Sequence, residues 1–559
     1  MDNKNAKKWI KLHSKGQSLK MGILIVSNVL FSLLSVLFAI AVKIIIDGAT
    51  NLDAVAGRTS IIKGSILIGS IVLLQFVFRI IINYLVDHIK GKLEIAFKSH
   101  LFGDILKKNY QKITDYHSGD LLNRLNTDVA VVADGVTTIV PNVVSATCRL
   151  ICAIVAIVIL DWIFACVFVV AGLLVYLTLT LMRAKLKSFH KQSQATSGKT
   201  HSFMQETIEN LLAVKVFSAN KNVTDNADNL QRENFDVKMK RAKYSVGGHA
   251  IYNMIFSLGY IFALIYGAFK IYNGVLGYGS LSAILQLVNN VQVPFASLSN
   301  VIPKYYAMLA SAERILEIES IENEDQSLLE NRDFVYQNLK DIIVNDLKFS
   351  YDKEIILQDA SLTISKGDRV LIEGESGIGK STFIKLLLDV YKPESGNLVL
   401  NCDDTQIPIS ETTRNLFSYV PQQNLLFSGT LYDNLTFINK TATEEQINNA
   451  LKISCADEFV SDIKGGLDAK VGENGLGLSE GQIQRVAIAR AIISGAPVML
   501  LDESTSALDE TTEKKILYNL NTLKDKTLIL ISHKKTAREI CNKVIKIQDK
   551  KFLDPRKLR

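Results

Sequence analysis

The sequence predicts two domains in one chain: an α-helical domain that crosses a membrane six times, then an α/β domain built on a largely parallel sheet. Three observations predict it. Long apolar runs recur through the first half of the chain, an acidic and polar stretch follows Glu317, and beyond that stretch short β-branched runs alternate with amphipathic helices. At 559 residues the chain exceeds one ordinary core. A hydrophobic share of 48% beside a charged share of 21% suits an apolar segment joined to a water-soluble one. The boundaries read as 1–318 for the membrane domain, 319–335 for a linker and 336–559 for the α/β domain.

The opening residues carry Lys4, Lys7, Lys8, Lys11, Lys15 and Lys20 against Asp2 alone. Placed directly before an apolar run, this excess fits a membrane-surface anchor, and no nucleic-acid partner is expected. Met21 to Val42 is long enough to span a bilayer as a helix. Ala39-Ile40-Ala41 has the small residues of a leader-cleavage site, but the run is longer than a leader's apolar region and further spans follow, so the first span is read as retained. No peptidase segment is read ahead of it.

Five more apolar stretches lie near Ile66 to Val86, Val136 to Leu160, Trp162 to Met182, Tyr252 to Tyr272 and Leu281 to Val301. Six spans put both termini on one side. The stretches between spans two and three (Lys90, Lys92, Lys98, Lys107, Lys108) and between four and five (Lys185, Lys191, Lys215, Lys238, Arg241) are rich in Lys and Arg, which assigns them, both termini and the α/β domain to the cytoplasm. A multi-pass protein of the cytoplasmic membrane, with lipid as its surroundings, is expected. The cytoplasmic stretches keep apolar residues at three and four spacing (Leu93, Ile95, Ala96, then Phe102, Ile105) and lack proline, so the spans are expected to continue as helices beyond the bilayer. The cysteines Cys148, Cys152, Cys166, Cys402, Cys455 and Cys541 form no CxxC pair, and neither a zinc site nor a disulfide framework is indicated.

In the α/β domain, the strand Arg369 to Glu373 runs into Gly374-Glu-Ser-Gly-Ile-Gly-Lys-Ser-Thr382, and an apolar helix follows. Glycine lets such a loop curl its N–H groups around phosphate at a helix N-terminus. Gly374, Ser376, Gly377, Gly379 and Thr382 belong to that cradle, Lys380 reaches the β and γ oxygens of ATP, and Ser381 is a ligand for Mg²⁺. Val498 to Leu501 is a continuous apolar run ending in Asp502 and Glu503, as expected of a strand buried on both faces whose end reaches a site. Asp502 is assigned to the metal, and Glu503 to orienting and deprotonating the attacking water. The run Thr527 to Ser532 ends in His533, assigned to the γ-phosphate, with Asp509 as its partner across a subunit boundary.

Leu478-Ser479-Glu480-Gly481-Gln482, between the phosphate loop and the Asp502 strand, resembles the signature sequence of the ABC transporter superfamily. The family usually has a second glycine where Glu480 stands; Ser479 and the Gly481 backbone are retained. Other segments resemble family elements in order. Tyr351 resembles the adenine-stacking aromatic, and Gln422 resembles the Q-loop glutamine that touches ATP and Mg²⁺. Val471-Gly-Glu473-Asn-Gly475 resembles the exporter X-loop. In the membrane half, Ser118 to Asp128, Glu206 to Ala219 and Ser311 to Leu316 resemble exporter segments around the coupling helices and at the exit from span six.

The resemblance implies an exporter-type half-transporter: six spans fused to a P-loop ABC ATPase, with ATP and Mg²⁺ as ligands. It also implies a dimer, because Ser479, Gly481 and Gln482 would close on ATP held by a second copy or a homologous half. The expected activity is ATP-driven efflux of an amphipathic substrate (lipid, peptide or drug-like) by alternating access. An importer on the same fold, as in siderophore systems, and one half of a heterodimer stay open as alternatives. Arg79 and Arg149, inside apolar spans, and Lys304, at the inner end of span six, are assigned to the substrate as a basic collar, since charge at membrane depth usually faces protein or an aqueous cavity.

Overall fold

A computed structural model describes residues 3–352, 354–403, 405–422, 426–472, 475 and 477–553. The chain divides into two compact units, one of Met1–Phe102 and Gly119–Glu317, the other of Gly103–Ser118 and Ile318–Arg559.

The first unit is helical. After a short helix Asn3–His13 come α1 (Ser18–Ala49), α2 (Ala54–Ile105), α3 (Val129–Leu160), α4 (Trp162–Glu209), α5 (Asn220–Tyr272) and α6 (Tyr278–Glu319). Among the described residues, five segments are long and apolar enough to cross a membrane: Lys15–Ala49, Ala54–Ile105, Ser118–Leu160, Trp162–Met182 and Asn220–Tyr272. The sixth expected span falls in α6, whose apolar stretch is interrupted by Gln286, Asn289, Asn290 and Gln292. At a rise of about 1.5 Å per residue, α2 with 52 residues and α5 with 53 exceed twice the roughly 30 Å of bilayer hydrocarbon. They therefore extend beyond any membrane they cross.

Aromatic and small side chains pack this unit: Phe164, Phe168 and Phe256 are buried with Ala153, Ala263 and Leu287. Glycine allows helices to come close. A Cβ on Gly135 of α3 would lie 2.6 Å from the Met308 sulfur of α6. Asp161 ends α3 and caps α4 by accepting from the Ile163 N–H at 3.0 Å, and it also pairs with Lys270 of α5. At the other end, the segments beginning at Ser118 and Ser311 meet. Asp128 is fully buried, accepts from Ser311 Oγ at 2.8 Å and is gripped by the Arg314 guanidinium, while Arg124 joins Glu317 at 2.9 Å and Asp120 at 3.0 Å.

The second unit carries two main sheets. An antiparallel sheet contains β1 (Leu339–Tyr351), β2 (Glu354–Ser365), β4 (Ser395–Cys402) and β5 (Gln406–Pro408), in the order β2-β1-β4-β5. The second contains β3 (Arg369–Glu373), β6 (Phe417–Val420), β7 (Val498–Asp502), β8 (Thr527–Ile531), β9 (Lys543–Gln548) and β10 (Lys551–Leu553), in the order β10-β9-β3-β8-β7-β6. Only the β9–β10 edge of this six-stranded sheet is antiparallel. All residues of β7 and β8 are buried, as their unbroken apolar runs require. Three helices matter below: α7 (Lys380–Leu387), α8 (Glu480–Ile493) and α9 (Glu510–Asn521).

The stretch expected to be a plain linker is tied down. Lys108 Nζ donates to the carbonyls of Glu319 at 2.7 Å and Ile321 at 2.9 Å, and the Tyr110 N–H donates to Glu324 at 2.9 Å. Glu324 in turn accepts from Arg414 at 2.5 Å, so the one-turn helix Tyr110–Ile113 is fastened through residues 319–324 to the sheet unit. An acidic run reads as solvated linker in sequence because its cationic partners lie far away in the chain.

Candidate functional site

The site is assembled at one sheet edge. In the parallel register Ile531 of β8 stands beside Ile372 of β3 and Asp502 of β7, so three adjacent strands end at one level. The residues that follow each strand converge there, where open α/β sheets bind ligands. After β3 the chain turns through Gly377 at φ 80° and Gly379 at φ 107° into α7. Gly379 has a second reason to be glycine, since a Cβ there would sit 2.4 Å from Ile356 Cγ2.

Lys380 is buried, and its ammonium donates to the carbonyls of Gly374 at 2.9 Å and Glu375 at 2.8 Å. Burial pushes it below the ordinary lysine range, opposed by the nearby Glu503 and Asp502. Ser381 Oγ donates to Asp502 Oδ1 at 3.0 Å, and the Tyr419 hydroxyl donates to Asp502 Oδ2 at 3.3 Å. Burial raises Asp502 despite these two donors. A hydroxyl and a buried carboxylate thus meet beside the loop from Gly374 to Thr382. That is the oxygen donor set a hard divalent cation fits.

Glu503 follows at φ 47°, an uncommon conformation for a residue with a Cβ, fixed by its N–H bonding the Ile531 carbonyl at 3.0 Å. Its carboxylate lies between two groups: Gln422 Nε2 donates to Oε2 at 2.7 Å, and His533 Nε2 is 3.3 Å from Oε1. Gln422, Glu503 and His533, distant in sequence, therefore form one cluster at the strand ends.

The other residues assigned to the nucleotide from the sequence form separate groups. Ser479 is the N-cap of α8 in a reciprocal box with Gln482: Ser479 Oγ accepts from the Gln482 N–H at 3.3 Å, and Gln482 Oε1 accepts from the Ser479 N–H at 2.8 Å. A Cβ on Gly481 would lie 3.2 Å from the Ala507 carbonyl oxygen. Asp509 caps α9, accepting from the Thr512 N–H at 2.9 Å and from Thr511, and these bonds hold its carboxyl well below the usual range. Tyr351 is partly exposed, with its ring edge-on to Tyr391 and its hydroxyl 3.3 Å from Thr382 Oγ1. In the X-loop, Glu473 and Asn474 lie outside the described residues. Tyr419 was not singled out in the sequence reading; the signal for it was its place in β6, paired with Leu500 of β7 beside Asp502.

The three cations assigned to a substrate each have separate surroundings. Arg149 donates twice to Asn290 Oδ1, at 2.9 and 2.6 Å, and Asn290 donates to the Ser35 carbonyl at 3.2 Å. Lys304 pairs with Asp134 at 3.2 Å, which also takes Lys90 at 3.3 Å. Arg79 is exposed on α2 near Phe76 and Ile80.

Comparison with known proteins finds matches to both halves of the chain. The model of the ABC transporter transmembrane region matches residues 21–295, and that of the ABC transporter matches residues 357–506. The chain is 28% identical over 465 residues to ABC transporter B family member 1 of Dictyostelium discoideum, covering 82% of this chain and 51% of that protein, so it spans about half that relative's length. It is 26% identical over 475 residues to the ATP-dependent lipid A-core flippase of Blochmanniella pennsylvanica, covering 84% of this chain and 80% of the relative. A bacterial Atm1-family ABC exporter, solved with ATP bound, has the same fold at a TM-score of 0.79 and 20% identity, over 96% of this chain and 95% of that one. With both family regions in one chain, in order and over most of its length, the protein belongs to the ABC transporter family, with its transmembrane region fused to its ATPase domain.

Proposed function

We propose that this chain is one half of a homodimeric exporter that hydrolyses ATP to move an amphipathic substrate across the cytoplasmic membrane by alternating access. The observation that carries the reading is the cluster of Gln422, Glu503 and His533 beside the Ser381–Asp502 pair, in a chain that also contains long membrane-spanning helices. Lys380 and the loop N–H groups bind the ATP phosphates, with Tyr351 beside the base. Ser381, Asp502 and Gln422 hold Mg²⁺, which when bound neutralises phosphate charge. Glu503 orients water and takes its proton, and Gln422 and His533 keep that carboxylate aimed at the strand ends.

Ser479, Gly481 and Gln482 offer a helix N-terminus that suits the γ-phosphate of ATP held by a second copy. The relatives named as lipid A-core flippases favour a lipid among amphipathic substrates. The Lys- and Arg-rich stretches between spans favour a cytoplasmic ATPase domain and cytoplasmic termini.

Replacing Glu503 tests the reading. Glu503→Gln keeps ATP binding, lowers steady-state ATPase activity by at least about 100-fold and traps nucleotide in a closed dimer, while Lys380→Ala loses nucleotide binding itself. Near-parental turnover in purified Glu503→Gln protein would rule out the assigned base.

A further inference from the structure

Helices α1 and α2 run antiparallel, and their seam is closed tightly at one end only. There a Cβ on Gly48 would lie 2.9 Å from Ser60 Cβ, and one on Gly64 would lie 2.5 Å from Ile45 Cγ1. Toward the N-terminal end the Lys20 ammonium donates to His88 Nε2 at 2.7 Å. Along Ser18 to Leu30 the two helices leave a groove of about 740 Å³, lined by Leu19, Ile23, Val26 and Leu30 of α1 and by Phe78 and Ile81 of α2. The four α1 side chains are exposed, and no residue lining the groove is charged. Gly22 also lines it, and a Cβ built there meets nothing within 4 Å, so the absent side chain leaves open space rather than a close packing contact.

Length and charge indicate the occupant. From Lys20 to Leu30 a helix rises about 15 Å, half of the roughly 30 Å of bilayer hydrocarbon. The groove is therefore one leaflet deep, with its mouth at Lys20. Tyr84 is exposed, with its ring 5.7 Å from that of His88, and an amphipathic aromatic at this level fits the headgroup region. From Lys4 to Lys20 the chain carries six lysines and no acid, and Asp87 beside His88 is the acid that α2 brings to this level. We propose that α1 and α2 form a binding site for one anionic phospholipid of the leaflet on the N-terminal side, which is the inner leaflet in the orientation proposed above. An acyl chain lies along Gly22 and Ile23 to Leu30 and Phe78, and the phosphate accepts from Lys20.

The chemistry separates the two parts of the ligand. The apolar wall accepts any acyl chain of sufficient length, so it does not distinguish one phospholipid from another. The headgroup is selected by charge. Lys20 is exposed and spends one of its three N–H donors on His88, which holds the ammonium beside Leu19 and Gly22 at the mouth. Lys15, exposed just before α1, adds a second positive charge at the same end. Near a membrane surface each such lysine favours an anionic headgroup by about fivefold.

The test uses the full-length protein, delipidated in a neutral detergent and titrated with phosphatidylglycerol or phosphatidylcholine of equal chain length. Lipid bound per protomer is counted by native mass spectrometry. The parent is expected to hold one phosphatidylglycerol at least about fivefold more tightly than phosphatidylcholine, and Lys20→Gln to weaken phosphatidylglycerol about fivefold with phosphatidylcholine unchanged. Gly22→Leu places its side chain in the groove and favours the helix; it is expected to weaken both lipids at least about tenfold, with basal ATPase activity and thermal midpoint no lower than the parent's. Gly22→Ala stiffens the helix in the same way but fills little of the groove, and is expected to bind as the parent does. Equal retention of the two lipids by the parent, or parental retention in both Lys20→Gln and Gly22→Leu, would overturn the site. Loss of the dimer in Gly22→Leu with lipid retention unchanged would also overturn it, by giving the groove to a second copy of the chain.

Discussion

Asp389 shows how one side chain can make an ATPase domain sensitive to pH. It follows α7 at φ 49°, is buried, and its carbonyl accepts from Arg414 at 2.8 Å. Burial, and then the neighbouring Glu411, push its carboxyl up to about 6. A raised folded value means the neutral form is favoured, so its stabilising contribution is full below the unfolded value of about 3.9 and is lost as pH rises through about 6. Asn tolerates the same backbone conformation and mimics the neutral acid. Asp389→Asn is therefore expected to raise the thermal midpoint more at pH 8 than at pH 5, measured on the full chain in detergent. Equal gains at both pH values would show that Asp389 is not the titrating group. Asp502 is also raised by burial, with Ser381 and Tyr419 as its hydrogen-bond donors, and in the proposed function it serves a cation.

Among the elements, those with strong local signals were legible in sequence. The unbroken runs of β7 and β8 announced buried strands, and the glycines before α7 announced a tight turn into a helix, because periodicity and backbone freedom are properties of neighbouring residues. The pairing of Gln422 with Glu503 was not legible, since it depends on the order of β6, β7 and β8 in the sheet. Nor was the fastening of residues 319–324 by Lys108, or the taking of Arg149 by Asn290 and of Lys304 by Asp134. Composition picked out each cation without saying which polar group it would meet. The meeting of Asp128 with Ser311 and Arg314 is similar: both segments stood out as motifs, and only the fold brings them together. Asp128→Asn removes the charge from a buried carboxylate gripped by a guanidinium, at a cost of about 2 kcal/mol once the partial exposure of Arg314 is allowed for. The expected result is a thermal midpoint lower by roughly 5 °C with ATP binding unchanged. A parental midpoint would mean that the ends of α3 and α6 are joined by other contacts.

At the scale of the whole molecule, the chain passes between its two units inside α2 and again inside α6, so continuous helices rather than loops join membrane to ATPase at those points. Helices α2 and α6 also supply the cations around Asp134. Lys90 of α2 and Lys304 of α6 share this single carboxylate of α3, at 3.3 and 3.2 Å, which leaves one positive charge in excess. Lys304 is 54% exposed, so that charge is open to a ligand. If the proposed substrate is an amphiphile with an anionic end, Asp134 competes with it for the lysines. Asp134→Asn is then expected to lower the concentration of anionic amphiphile that half-maximally stimulates ATPase activity, by up to about tenfold or 1.4 kcal/mol, with no change for a zwitterionic amphiphile of the same chain length. Salt should shrink the gain, because the added attraction acts at a partly exposed site. Arg149→Gln is expected to have a smaller effect on the same preference, because Asn290 already holds that guanidinium. An unchanged anionic preference in Asp134→Asn, with parental basal turnover, would put Lys90 and Lys304 outside the substrate path and leave their pairing with Asp134 as a tie among α2, α3 and α6.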